Sequence, residues 1–107
     1  MTIKVFNSEA YCGYKQITTF FEDFSIADNF GISAIKDTYK RAFSAWKSDY
    51  KYLTELVMVL NWKCWQHHHE GNTQKSDLYS DLYYKADDYA RKNLKGDELD
   101  YFESTTA

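Results

Sequence analysis

The sequence predicts an all-α fold, a compact bundle of about four helices ending in a C-terminal antiparallel helical hairpin. Three observations predict it. Proline is absent from the 107 residues, although it makes up about 5% of average sequences and loop-rich or β-rich chains use it to start turns. Apolar residues recur at steps of three and four along most of the chain, the spacing that lines one side of a helix. Three of the four glycines stand where those periodic runs stop. A chain of this length holds one core. Residues 16–107 are therefore read as one helical domain, preceded by a tail or edge segment at residues 1–15.

Residues 2–6 alternate polar and apolar as a short strand would, with Ile3 and Val5 against Lys4. One strand has no evident pairing partner, so this is a tail or an edge. Residues 7–14 read as a loop. Residues 16–30 read as helical turns through Ile17, Phe20, Phe21, Phe24, Ala27 and Phe30. Gly31 suits a left-handed helix end, and Ser33 suits the N-cap of the next helix. That helix carries an apolar stripe of Ile35, Tyr39, Ala42, Phe43 and Trp46. Lys36, Lys40 and Lys47 fall on a neighbouring arc, and Lys51 joins them if the helix runs on.

Residues 52–69 are the strongest apolar block. Leu53, Leu56, Val57, Leu60, Cys64 and His67 make one face, and Met58, Trp62 and Trp65 make a second. A helix apolar on two faces is either central in a bundle or has one side free for a partner. Gly71 ends it, and Asn72 or Thr73 caps the next helix. This last long helix reaches Leu94 with Leu78, Tyr79, Leu82, Tyr83, Ala86, Tyr89 and Ala90 on one face. Asp81–Lys85, Asp87–Arg91 and Asp88–Lys92 are acid-before-base pairs four residues apart, as on a solvated helix. Gly96 stops it, and Asp97 can cap a short final turn with Leu99 and Phe102. The brief connection at 71–73 makes the two long helices an antiparallel hairpin.

The net charge is −3, which argues mildly against a dedicated nucleic-acid binder. The charge is unevenly spread. Residues 33–51 hold five basic groups against two acidic ones, whereas residues 75–107 hold five basic against eight acidic. Cys12 and Cys64 form no CxxC pair. No apolar run nears the roughly 20 residues of a membrane span, and the N-terminus lacks the order of a signal peptide. A cytoplasmic chain with two free thiols and no membrane partner is the expectation.

The chemistry-bearing candidates are few. His67, His68 and His69 precede Glu70, but successive helical positions point about 100° apart, so the three cannot share one ion. Asp77 or Asp81 of the following helix keeps a one-histidine site conceivable, and the HExxH spacing is absent. No metal or cofactor is expected. No P-loop, GxGxxG or nucleophile elbow occurs, and Cys64 reads as a core thiol. The chain is therefore not expected to be an enzyme. Residues 25–33, with Ala27, Gly31 and Ser33, match the first half of a helix-turn-helix. The second half departs from it, because Asp37 and Lys40 stand where two buried apolar residues belong.

Two stretches carry a resemblance: residues 23–31 followed by 35–43, and residues 52–61 together with 93–99. They resemble a group of small uncharacterised accessory proteins carried by conjugative elements and phages of gut bacteria, over most of residues 16–107. The resemblance brings no catalytic residues. It implies an accessory role such as transfer, regulation, or inhibition of a host defence system of the restriction or CRISPR kind.

The expected function is that of a non-catalytic binding protein of a mobile element, acting on a protein or ribonucleoprotein partner through Met58, Trp62 and Trp65. The alternative is a small helix-turn-helix-like DNA-binding regulator using residues 25–48, with Lys36, Lys40, Arg41, Lys47 and Lys51 as the nucleic-acid contacts. A homodimer is compatible with either.

Overall fold

The computed structural model describes residues 15–106. These form five helices and, among the described residues, no strand. The expected N-terminal strand and the Cys12 thiol lie outside the described residues. The helices are α1 (Lys15–Phe30), α2 (Ile32–Trp46), α3 (Tyr50–His69), α4 (Thr73–Asn93) and α5 (Asp97–Thr106). The chain is all-α, and the expected final turn is a ten-residue helix.

The helix ends follow local chemistry. Asp49 accepts hydrogen bonds from the Lys51 and Tyr52 amides and so opens α3. Asn72 accepts from the Lys75 amide and opens α4. At the end of α3, Gly71 donates to the His68 carbonyl and Asn72 to the His67 carbonyl. That pair of bonds satisfies carbonyls left over by the last turn, with Gly71 at φ 78° supplying the left-handed step.

The corner between α1 and α2 differs from expectation. Gly31 alone separates the helices, at φ 105° and ψ −169°, outside the compact left-handed helical region. It serves as the N-cap of α2 without a side-chain bond. Ser33 therefore lies inside α2 and caps nothing. Nor does α2 run on to Lys51: it stops at Trp46, and Lys51 belongs to the first turn of α3.

Helix α3 is the hub and packs against α1, α2, α4 and α5, most extensively against α4. Its N-terminal half is buried nearly all round, with Leu53, Leu56, Val57, Val59 and Leu60 fully enclosed. Tyr79, Leu82, Ala86 and Ala90 of α4 and Leu94 just past its end complete that core, with Phe20, Phe24 and Ala27 from α1, Ile35 and Tyr39 from α2, and Phe102 from α5. Aromatic pairs stitch the helices together, including Phe24 on Tyr79 and Phe43 on Tyr89. Burial pushes the Tyr39 phenol up to about 12. Phe30 breaks the expected α1 stripe, because it is 79% exposed.

Candidate functional site

Three features carry chemistry: a buried polar cluster under α1, the outer face of α2, and a groove between those two helices.

The buried cluster centres on Asp28. Its Oδ2 lies 2.6 Å from Lys63 Nζ and 3.0 Å from His67 Nε2. Its Oδ1 accepts from the Tyr79 hydroxyl at 2.5 Å. Lys63 also donates to Gln66 Oε1 and Ser25 Oγ, and its ammonium sits 5.2 Å from the centre of the Phe21 ring. The His67 ring stacks on Tyr79 at 5.4 Å. Glu70 Oε1 stands 3.1 Å from His67 Nδ1, close enough for an ion pair but out of line for a hydrogen bond. Lys75 adds a bond to the Asp28 carbonyl. Burial, then the hydrogen bond to Asp28, then its charge hold the Tyr79 phenol well above its ordinary range.

Burying a lysine and a carboxylate is costly unless each charge is paired and hydrogen-bonded. Both oxygens of Asp28 are taken from inside the protein, and the cluster joins residues of α1, α3 and α4. It is a clamp that holds α1 against α3 and α4. His67 thus meets Asp28, and not Asp77 or Asp81 as the one-histidine reading required. His68 and His69 are exposed on other sides of the helix. Among the described residues no group of three His, Cys, Asp or Glu side chains is placed to hold a metal. Cys64 is half-buried, with Ser76 donating to its carbonyl.

The sequence reading missed Lys63 and Asp28, although a signal existed. Lys63 falls on the same helical face as Leu56, Leu60 and His67, where a lone charge needs a partner. It also missed Glu55, which is 2% exposed, with neither carboxylate oxygen hydrogen-bonded among the described residues. Burial, with a smaller push from Asp49, raises its carboxyl to about 7.

Lys36 and Lys40 lie on the outer face of α2 and Lys47 just past its end, all exposed; Arg41, also exposed, lies about 100° further round, on the side that borders α1. At about 100° per residue, Lys36, Lys40 and Lys47 fall within about 40° of arc. No ion pair neutralises them or Lys51 among the described residues. On α4, by contrast, Arg91 is paired with Asp87 at 3.0 Å and with Glu103 at 3.3 Å, and Lys92 with Asp88 at 3.0 Å. Ile35 and Tyr39 are the buried side of α2, and Asp37 and Lys40 point outward. The single-residue corner at Gly31 also replaces the three- or four-residue turn of a helix-turn-helix.

The Met58, Trp62 and Trp65 face is half-buried throughout. Trp62 packs edge-on against Phe21 at 4.8 Å, and Met58 packs on the core. Trp65 leans on His68 at 5.3 Å. Among the described residues, the large apolar side chains that stand out into solvent are instead Ile26 and Phe30 of α1 and Tyr84 of α4. Ile26 and Phe30 border a groove of about 370 Å³ whose other wall is α2.

None of the described helices is long and apolar enough to cross a membrane. No protein family, no curated protein and no solved structure matches the chain.

Proposed function

We propose that the protein is a non-catalytic binding module that docks on an acidic face of a protein or ribonucleoprotein partner through the outer side of α2. The observation that carries this reading is the set Lys36, Lys40 and Lys47, exposed in one narrow stripe and forming no ion pair among the described residues. Uncompensated charge on a rigid helix steers an oppositely charged partner and sets its orientation. The helical scaffold, with the α3–α4 hairpin as its spine, holds α2 through Phe43 on Tyr89 and Tyr39 in the core. The resemblance to accessory proteins of mobile elements supports a partner in transfer, in regulation or in a host defence system.

The test is capture of partners from host lysate, with and without nuclease, by the wild type and by the Lys36→Gln/Lys40→Gln/Lys47→Gln variant. Nuclease-resistant, salt-sensitive capture that the variant loses supports the reading. Equal capture by both proteins rejects α2 as the contact surface.

The same stripe favours a second reading, contact with DNA phosphates by residues 25–48. Each neutralised phosphate contributes about −0.9 to the slope of log affinity against log salt, so the triple variant would flatten that slope by up to about 3. The one-residue corner and the overall negative charge weigh against it.

A further inference from the structure

The groove between α1 and α2 is a different surface from the lysine stripe, and its composition points to its occupant. On the α1 side stand Asp23, Ile26 and Phe30; on the α2 side stand Ala34, Asp37 and Arg41. The lining positions pair off about residue 32, one past the Gly31 corner: 30 with 34 and 23 with 41. On two helices that double back at that corner, this order sets Phe30 opposite Ala34 near the corner and Asp23 opposite Arg41 at the open end. Ile26 is 58% exposed and Phe30 is 79% exposed, an unusual placement for two large apolar side chains one helical turn apart. Asp23, Asp37 and Arg41 form no ion pair among the described residues.

We propose that this groove is a self-complementary surface that binds a second copy of the chain about a two-fold axis running along it. A two-fold interface uses the same patch twice, so the patch must carry both members of each contact. This one does. Rotation about the groove axis sets Asp23 of one copy over Arg41 of the other, and the reverse. It also sets the bulk of Phe30 over the small Ala34 of the second copy. An acid on one wall, a cation on the opposite wall and a large-to-small apolar match are the complementarity a symmetric pair requires. The dimer displays two lysine stripes in a fixed relation, which gives a binding partner two contacts for one encounter.

Sedimentation equilibrium tests the proposal with four proteins. The wild type is expected to self-associate reversibly. Phe30→Asp, a change at an exposed position, is expected to be folded and monomeric. Asp23→Arg and Arg41→Asp each place like charges opposite one another twice and are expected to weaken association at least tenfold. An equimolar mixture of those two variants restores both pairs, and it is expected to associate within about threefold of the wild type. No change confined to one chain produces that rescue. A wild type that stays monomeric at millimolar concentration overturns the proposal, whether residues 1–14 of its own chain or another protein covers the groove. A mixture that fails to associate overturns it as well. Capture of a partner by a monomeric wild type would sink the dimer and leave the docking reading intact.

Discussion

Asp28 Oδ2 lies 2.6 Å from Lys63 Nζ, across a helix interface where the lysine side chain is 1% exposed and the aspartate 11%. The pair joins residues 35 positions apart in the chain and decides where α1 sits. Ile26 and Phe30 flank Asp28 at two positions either side, about 200° round the helix. Pinning Asp28 inward therefore turns those two apolar side chains outward.

Removing one member of this pair strands the other. Asp28→Ala leaves a buried lysine without its counter-charge, and such losses cost roughly 3–5 kcal/mol. The double variant Asp28→Asn/Lys63→Met should be less destabilised than the sum of its two single changes. Urea unfolding of the wild type, Asp28→Asn, Lys63→Met and the double variant gives the coupling. Additive losses would show that the two side chains do not act as a unit.

The three histidines should separate by burial. His67→Gln loses the contact with Asp28 and the stack on Tyr79 and should lower stability by roughly 1–3 kcal/mol. His68→Gln and His69→Gln, at exposed positions, should stay within about 0.5 kcal/mol of the wild type. Thermal unfolding with added zinc or a chelator should leave all of these unmoved. A chelator-dependent melting temperature in the wild type alone would show a metal site.

Glu55 predicts a pH dependence of definite sign. Its carboxyl titrates near 7 in the folded chain against an ordinary value of 4.5. Below about pH 4.5 it is protonated folded and unfolded, and its contribution is fully present. Between pH 4.5 and 7 the folded state holds a proton that the unfolded state releases, so stability falls as pH rises. Glu55→Gln removes the effect. The advantage of the variant should grow by roughly 2–4 kcal/mol across that window. A stability difference that is flat with pH would place Glu55 in contact with solvent or with a cation.

Gly31→Ala tests the corner. Apart from residue 31 itself and its two chain neighbours, nothing lies within 4 Å of the added methyl, so the cost is one of backbone conformation. At φ 105° and ψ −169° an L-residue is strained by about 1–3 kcal/mol. The loss should appear in chemical denaturation, and Gly31→Asn should not rescue it, because asparagine tolerates the left-handed helical region and not this one. An unchanged midpoint would mean that α1 and α2 can meet by another path.

Leu60→Ala tests the hub. Leu60 is fully buried on α3, and large-to-small changes at such sites cost roughly 2–5 kcal/mol. A loss below about 1 kcal/mol would remove α3 from the centre of the fold.

What the sequence by itself determined is the local part of this protein. Helical periodicity placed α2, α3 and α4 within a few residues, because the step of an α-helix is a property of the chain and needs no neighbour. The inward sides of α3 and α4 followed from the same spacing: Leu53, Leu56, Leu60, Leu82 and Ala86 are all buried. The cap of α4 was legible to within one residue, Asn72 or Thr73, because such a bond reaches only three residues along; the structure selects Asn72. Tertiary structure decided everything that depends on which faces meet. No local rule says that Lys63, on an apolar stripe, finds a carboxylate on α1, or that Glu55 finds none. Phe30 has the right spacing for the core, yet it projects into solvent, because the Asp28 clamp fixes the rotation of α1 and Gly31 turns the chain one residue later. Spacing ranks the sides of a helix by polarity. Only packing against the other helices determines which of them is covered.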